Sequence, residues 1–193
     1  MNNTIVYYNN NAEQYFGATV GTDFEAIREK FCSFLPEHAR IVDIGCGSGR
    51  DVKAFCDMGY EAIGLDASEE LALLAHDKLG IQVIVDDMTT WIAEEPFDGI
   101  WCCASLLHLH KEEAKTFLQN LKHNLKTGGI LFLSVKEGIA TGYDEKGRYM
   151  QNYTETELEE SLRQAELKVL EICRTEDKLG REDFAWLNTI ATK

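Results

Sequence analysis

The sequence has little proline, no long apolar run and few basic residues for its number of acidic ones. Only 2 of its 193 residues are Pro, and 19 Lys and Arg stand against 33 Asp and Glu, which gives a formal net charge of −14. No apolar run approaches the ~18 residues of a membrane-spanning helix, and the first residues lack the basic and apolar parts of a signal peptide. We therefore expect a cytoplasmic protein that does not enter a membrane.

The shortage of positive charge bears on the class of partner. Affinity for nucleic acid depends largely on Lys and Arg that neutralise phosphates, so we expect neither nucleic acid nor an anionic membrane surface to bind. A charge of −14 is also what simply keeps a protein in solution. With 45% hydrophobic residues, the chain is long enough to bury its own core, and we expect a monomer or dimer.

The six cysteines lack the spacing of a metal or redox site. None forms a Cys-x-x-Cys pair, and we expect no bound metal. Without a secretion signal, reduced thiols are the ordinary state. The adjacent Cys102 and Cys103 are interpreted as the end of a buried strand, with a redox role as the alternative.

Strands and helices alternate along most of the chain. Short apolar segments predict strands at 40–44, 61–65, 81–85, 97–103 and 130–135. The alternation predicts an α/β fold, a doubly wound, Rossmann-like and mostly parallel sheet of seven strands. The last two strands, near 167–174 and 184–192, have no helix between them and predict a C-terminal antiparallel hairpin at the sheet edge.

Capping residues predict where three helices begin. Thr22 with Glu25 has the spacing of a capping box, and Ser68 precedes two acidic residues. A second capping box begins at Thr154. In addition, the glycine pair at 128–129 is expected to turn the chain into the fifth strand.

A glycine loop follows the first strand. Gly45, Gly47 and Gly49 form a Gly-x-Gly-x-Gly pattern with Asp43 at its entrance. Glycine allows a tight turn and lets a ligand approach the backbone, whereas a dinucleotide loop would need glycine at position 50. An acid at the loop entrance suits a cationic ligand, and Asp66, at the end of the second strand, is suited to accept hydrogen bonds from ribose hydroxyls.

Residues 42–49, together with Asp66, resemble motif I and the acidic motif of the class I S-adenosylmethionine-dependent methyltransferases. The resemblance extends over about 38–193 and is to the small-molecule branch, similar to tellurite-resistance and ubiquinone-biosynthesis-type domains. It implies S-adenosylmethionine as cofactor, S-adenosylhomocysteine as product and in-line methyl transfer to a small molecule. The alternatives are an RNA- or protein-modifying methyltransferase, or a non-catalytic partner protein that binds the cofactor.

The resemblance also implies which residues contact the cofactor. The acid after the third strand is Asp86 or Asp87, and we favour Asp87 followed by Met88. Arg50 either pairs with the cofactor carboxylate or is an exposed residue of a first helical turn. The predicted cofactor residues are Tyr15, Asp43, Gly45, Cys46, Gly47, Arg50, Asp66, Ala67, Asp87, Met88, Ala104 and Ser105.

Residues 1–20 are expected to form a lid over the cofactor, followed by a single methyltransferase domain at 21–193. Tyr7 and Tyr8 are expected to form walls of the substrate site, with packing of a terminal helix as the alternative. His108 is the candidate general base, because it lies five residues after the fourth strand and an ordinary histidine pKa of ~6.5 suits proton transfer. The alternative is a histidine that packs a loop.

Basic residues are concentrated on the predicted substrate side. Arg148 and the adjacent Tyr149 are predicted substrate residues. This cluster of basic residues is interpreted as a binding site for an anionic small molecule. The alternative is that its members are ordinary solvated charges. Its other members are Lys136, Lys146, Lys178 and Arg181. Trp186 is expected to pack the final hairpin.

Overall fold

The computed structural model describes residues 3–177 and 184–193. Seven helices and nine strands lie within these ranges. They are α1 (Asn3–Asn10), α2 (Ala12–Thr19), α3 (Glu25–Cys32), β1 (Arg40–Ile44), α4 (Arg50–Asp57), β2 (Glu61–Asp66), α5 (Glu69–Leu79), β3 (Val83–Val85), β4 (Phe97–Cys103), α6 (Lys111–Asn124), β5 (Leu125–Lys136), β6 (Thr141–Tyr143), β7 (Tyr149–Gln151), α7 (Glu155–Gln164), β8 (Lys168–Glu176) and β9 (Ala185–Thr192). None of the helices in these ranges has the length and hydropathy to cross a membrane.

The main sheet has seven strands in the order β3-β2-β1-β4-β5-β9-β8. Strands β1 to β5 are parallel, and β9 is antiparallel to both β5 and β8. This confirms the predicted fold class and the antiparallel pair at the edge. The strand order reverses between β1 and β4, and in such sheets ligands bind beyond the carboxyl ends of the strands at this point.

The core lies on both faces of the sheet. Successive residues of β1, Ile41 and Val42, belong to different buried clusters because side chains alternate along a strand. On the face of Ile41, Trp101 stacks on Phe132 with ring centroids 3.9 Å apart. The face of Val42 is covered by α6 and α7. Both faces of the sheet are therefore packed along β1 and β4.

Two of the three predicted helix starts are confirmed. The Ser68 hydroxyl accepts a hydrogen bond from Leu71 N, and Thr154 begins a complete capping box. The capping box at Thr22 was wrong, because α3 begins only at Glu25 and is preceded by Phe24, which has no side-chain acceptor.

Several element bounds also differ from the prediction. Only Val83–Val85 pairs with β2, so β3 lacks the predicted residues 81 and 82. The chain enters β5 at Leu125, and the ladder jumps from Leu125 to Ile130, so the glycine pair lies in an irregular stretch of that strand rather than before it. The β6–β7 hairpin, within residues 137–152, was not predicted from the sequence.

Candidate active site

The glycine loop after β1 has a backbone that only glycine adopts easily. Gly45, Gly47 and Gly49 have φ angles of +72°, +54° and +72°. A Cβ on Gly45 would lie 2.3 Å from Ser105 Oγ, and one on Gly47 would lie 3.1 Å from the Tyr15 ring. The loop therefore passes close to the segment after β4 and to α2. Both close contacts are possible because glycine has no side chain.

Asp66, the last residue of β2, holds this loop. Its Oδ2 accepts a hydrogen bond from Gly47 N at 2.8 Å, and its Oδ1 accepts one from Ser68 N at 2.9 Å. Burial raises the pKa of the carboxyl, and the hydrogen bonds from the backbone oppose that rise. Each carboxylate oxygen has two acceptor sites, so Asp66 retains capacity for a ligand.

Asp43, on β1, is a buried acid whose side chain accepts no hydrogen bond from a described residue. Its exposed fraction is 3%. Burial, followed by the charge of Asp51, raises the pKa of its carboxyl well above the usual value. A buried carboxylate is unfavourable without a charged partner, so this position suits a cationic ligand group.

Asp51, in contrast to Asp43, accepts hydrogen bonds from three side chains. Arg28, Arg50 and the indole Nε1 of Trp101 all lie 2.6–3.1 Å from its carboxylate. The Arg50 guanidinium also lies 4.0 Å from the Phe24 ring centroid. Arg50 therefore faces the cleft while already paired, and a contact with the cofactor carboxylate stays a prediction.

Two adjoining cavities occupy the carboxyl ends of the strands. We call the one beside Arg50, of about 130 Å³, the Arg50 cavity, and the one beside Asp66, of about 120 Å³, the Asp66 cavity. Six residues line both cavities, which makes them two halves of one cleft. The shared residues are Tyr8, Tyr15, Gly45, Cys103, Ala104 and His108.

The predicted site residues are largely brought together in this cleft. Besides the shared residues, the Arg50 cavity is lined by Asp43, Cys46, Arg50 and Arg148. The Asp66 cavity is lined by Gly47, Asp66, Ala67, Asp87, Met88 and Ser105, and also by Asp86. Two predicted substrate residues, Tyr7 and Tyr149, line neither cavity.

Tyr7 and Tyr149 instead support residues that do line the cleft. The Tyr7 ring lies 5.1 Å from the guanidinium carbon of Arg148. The backbone oxygen of Tyr149 lies 2.8 Å from His108 Nδ1. The Tyr149 ring packs at a tilt of 38° against the His110 ring, with 3.8 Å between centroids.

The candidate base His108 is part of a hydrogen-bonded network. Its Nε2 lies 2.9 Å from Tyr8 Oη, to which the Arg148 guanidinium donates at 3.1 Å. Arg148 is held in turn by two hydrogen bonds to Asp144 Oδ2. Burial lowers the pKa of His108 to about 4, so its imidazole is neutral at neutral pH.

The basic cluster is divided by the fold. Lys136 and Arg148 line the Arg50 cavity, whereas Lys146 lies over the Tyr7 ring at 5.8 Å. Lys178 and Arg181 lie outside the described residues. Trp186, expected to pack the hairpin, also lines this cavity, together with Glu176 and Asp177. The lining therefore carries charges of both signs.

Sequence reasoning missed four residues that hold the site in place. Asp51 and Asp144 bind the arginines, and Thr4 Oγ1 accepts from Tyr149 N at 3.1 Å. Asn9 Oδ1 accepts from Ser68 Oγ at 2.7 Å. Of these four, only Asp144 could have been found from the local sequence. It begins a turn that ends at Gly147, and it lies four residues before Arg148.

Comparisons with known proteins bear on the family. A family model described as a methyltransferase domain matches residues 41–129. An uncharacterized methyltransferase of Staphylococcus carnosus is 25% identical, over 91% of this chain and 93% of that protein. A ubiquinone biosynthesis O-methyltransferase of Xylella fastidiosa is 35% identical over 50% of this chain, but the match spans only 41% of that protein.

A solved structure has the same fold. It is the Burkholderia thailandensis 1,6-didemethyltoxoflavin-N1-methyltransferase with bound 1,6-didemethyltoxoflavin and S-adenosylhomocysteine. Its TM-score is 0.78 at 24% identity, over 98% of this chain and 87% of that one. The domain match over residues 41–129 includes the glycine loop, Asp66 and His108. Residues 41–129 therefore match a methyltransferase domain, and the chain has the fold of S-adenosylmethionine-dependent methyltransferases.

Proposed function

We propose that the chain transfers the methyl group of S-adenosylmethionine to a small anionic molecule and releases S-adenosylhomocysteine. When bound, S-adenosylmethionine supplies a methyl group on a positively charged sulfonium. The observation that carries this proposal is the pair of acids, Asp43 and Asp66, on either side of a glycine loop whose backbone faces the cleft.

The residues of the cleft fit this cofactor. Asp66 would accept hydrogen bonds from both ribose hydroxyls, because its oxygens each have one site left after the backbone bonds. Asp43, buried and without a hydrogen-bond donor among the described residues, would hold the positively charged amino group. Asp87 and Met88 line the far end of the Asp66 cavity, where they would contact the adenine.

Beyond the part that Asp43 and Arg50 line, the Arg50 cavity would hold the methyl acceptor. Lys136 and Arg148 line it among residues of both charge signs, and in a protein with a net charge of −14 these two cations would face the anionic group of the acceptor. The neighbour of the same fold was crystallised with 1,6-didemethyltoxoflavin, which supports a small molecule as acceptor here.

Helices α1 and α2 contribute Tyr8 and Tyr15 to both cavities. We propose residues 1–20 as a lid and 21–193 as the single domain beneath it. A cleft of this size fits a small molecule better than an RNA or protein segment. All six cysteines carry free thiols, which fits the reducing cytoplasm in which we place the reaction.

The test follows a labelled methyl group. S-adenosylmethionine labelled in its methyl group is incubated with the protein and, separately, with a metabolite extract, total RNA and a protein extract. We expect label in a metabolite that binds an anion-exchange resin, and none when Asp66→Ala replaces the wild type. Label in RNA or protein alone would contradict a small acceptor. Tight binding of S-adenosylhomocysteine with no labelled product would favour a non-catalytic partner protein.

A further inference from the structure

We propose that Tyr8 is a catalytic residue, whose oxygen takes the proton of the methyl acceptor while its own hydroxyl proton passes to His108. This deepens the proposed function and rests on it. It also changes the role predicted for His108, which then acts through Tyr8 and does not meet the acceptor directly.

The hydrogen bonds determine which nitrogen of His108 carries the proton. Nδ1 lies 2.8 Å from the backbone oxygen of Tyr149. A carbonyl oxygen only accepts hydrogen bonds, so Nδ1 must be the N–H donor. Because burial lowers the pKa of His108 to about 4, the ring is neutral and Nε2 is left as an acceptor. The Tyr8 hydroxyl, 2.9 Å away, is therefore the donor to Nε2.

The same reasoning fixes the surroundings of the Tyr8 oxygen. Arg148 is a donor only, and it donates to Tyr8 Oη at 3.1 Å. One lone pair of the phenol oxygen is thus occupied and the other remains. Since Tyr8 lines both cavities, an acceptor placed between the acids and the cations meets the Tyr8 oxygen. His108 Nε2 is already engaged by the Tyr8 hydroxyl.

The network is held from several directions. Asp144 accepts two hydrogen bonds from Arg148, at 2.9 and 2.7 Å, and so fixes the guanidinium beside Tyr8. Tyr149, which orients His108, donates its backbone N–H to Thr4 Oγ1 on the same helix as Tyr8. The Tyr8 ring also packs edge-on against Tyr15, with centroids 5.0 Å apart. Such support is what a proton-transfer group requires.

The step balances in atoms and charge. The acceptor oxygen, nitrogen or sulfur forms a bond to the methyl carbon as the carbon–sulfur bond breaks and its electron pair stays on sulfur. The proton of the acceptor moves to Tyr8 Oη, and the Tyr8 proton moves to Nε2 of His108. Tyr8 is neutral before and after. Because the positive charge of the sulfonium disappears as the imidazolium forms, the total charge in the cleft does not change.

The first measurement needs neither cofactor nor acceptor. In the protein labelled with ¹⁵N-histidine, NMR at neutral pH should show His108 protonated at Nδ1 and unprotonated at Nε2. Tyr8→Phe should shift the Nε2 resonance, because the hydrogen bond from the phenol is lost, whereas Tyr143→Phe, the same change at an exposed tyrosine, should not. A proton found on Nε2, or no shift in Tyr8→Phe, would overturn the proposal.

The second measurement separates proton transfer from a structural role. Probe acceptors are used in pairs that attack through the same atom, with one member protonated and one already ionised at mildly alkaline pH: phenol with 4-nitrophenol, and 2-mercaptoethanol with thiophenol. General-base catalysis is worth roughly 100-fold or more. We expect Tyr8→Phe and His108→Gln to lower the rate by that factor on the protonated member and to leave the ionised member within a few-fold.

Each outcome decides a different question. Equal losses on both members of a pair would mean that Tyr8 only positions the acceptor, and the relay would be overturned. Full activity of Tyr8→Phe on protonated probes would overturn it as well. Failure of the wild type to methylate any probe or metabolite would refute the proposed function itself, and the relay with it. Thermal melts and calorimetry with S-adenosylhomocysteine check that both variants fold and still bind the cofactor product.

Discussion

At the scale of single residues, two acids at the ends of neighbouring strands have different surroundings. Asp66 accepts two backbone hydrogen bonds, whereas Asp43 accepts none from a described side chain and is raised in pKa by burial. Strands β1 and β2 pair in parallel, so both acids end at the same edge. Asp66 therefore holds the glycine loop, and Asp43 is suited to bind a cationic group.

Replacing Asp66 should weaken binding of the cofactor product. Asp66→Ala removes charge-assisted hydrogen bonds to the ribose, so we expect the binding free energy of S-adenosylhomocysteine to fall by about 1–3 kcal/mol in calorimetry. Asp77→Ala, at an exposed acid of α5, is the control for the change in net charge. Unchanged affinity in Asp66→Ala would refute the assignment of Asp66 to the ribose.

His108 should make the folded state less stable below neutral pH. Its pKa falls from 6.5 to about 4 on burial, beside Arg148, Asp144 and Lys136, so between these values the unfolded chain binds the extra proton. Stability should therefore drop as pH falls through this window, by up to roughly 3 kcal/mol. Urea unfolding should show a weaker pH dependence in His108→Gln and the wild-type dependence in His123→Gln. Parallel curves for all three proteins would contradict the assignment.

The sequence located most residues of the cleft but not the residues that hold them. Asp66 and the glycines follow strands directly, so their place is visible in a local pattern. Asp51 binds Trp101 across 50 positions of the chain, and Asn9 binds Ser68 across 59. Such pairings depend on how elements pack, and no local spacing encodes them. Tyr149 was singled out for its side chain, while the structure uses its backbone oxygen.

At the scale of elements, helix α1 is attached to the domain near both of its own ends. Near its start Thr4 accepts from Tyr149 N, and near its end Asn9 accepts from Ser68 Oγ. The alternation of strands and helices was enough to predict the sheet. The break at Asn11 between α1 and α2, and their packing on α5, were not predicted, because eight-residue helices carry too little periodicity.

Removing the Asn9 contact should loosen α1 alone. Asn9→Ala deletes the acceptor for Ser68 Oγ and for the backbone N–H of Glu70, and their loss should speed hydrogen exchange of amides 3–10 at least about fivefold. Amides of the central strands should exchange as in the wild type. Asn10→Ala changes an exposed neighbour of the same type and should have no effect. Unaltered exchange in α1 of Asn9→Ala would show that this contact does not hold the helix.

The glycine loop should not tolerate a side chain at Gly49, where it packs against Ile81 and Ala75. A Cβ on Gly49 would lie 2.3 Å from Ile81 Cδ1 and 3.0 Å from Ala75 Cβ, whereas one on Gly80 would meet nothing within 4 Å. Both have positive φ, of +72° and +68°. Gly80→Ala should therefore cost only the backbone strain, about 1–2 kcal/mol. Gly49→Ala should add overpacking and reach roughly 2–5 kcal/mol in urea unfolding. Equal losses would contradict the close packing of the loop.

At the scale of the whole molecule, the net charge of −14 has local exceptions. Arg28, Arg50 and Arg148 are each paired with a buried or half-buried acid. The other ion pairs are mostly exposed, such as Arg163 with Glu160, and pairs of that kind contribute about 0–1 kcal/mol each. Apart from Asp43 and Asp66 in the cleft, most of the unpaired acids lie on the surface, where like charges repel one another.

Screening this surface charge should stabilise the fold. Raising the ionic strength from about 0.01 to 0.15 M shortens the Debye length from ~30 to ~8 Å, which weakens repulsion among the unpaired acids more than attraction within short pairs. We expect the thermal midpoint to rise by a few degrees in sodium chloride. Glu159→Lys, at an exposed acid of α7, removes one negative charge and adds one positive charge, and it should reduce the rise. A midpoint that falls with salt would mean that the ion pairs outweigh the repulsion, and that the acidic surface does not limit the stability of this protein.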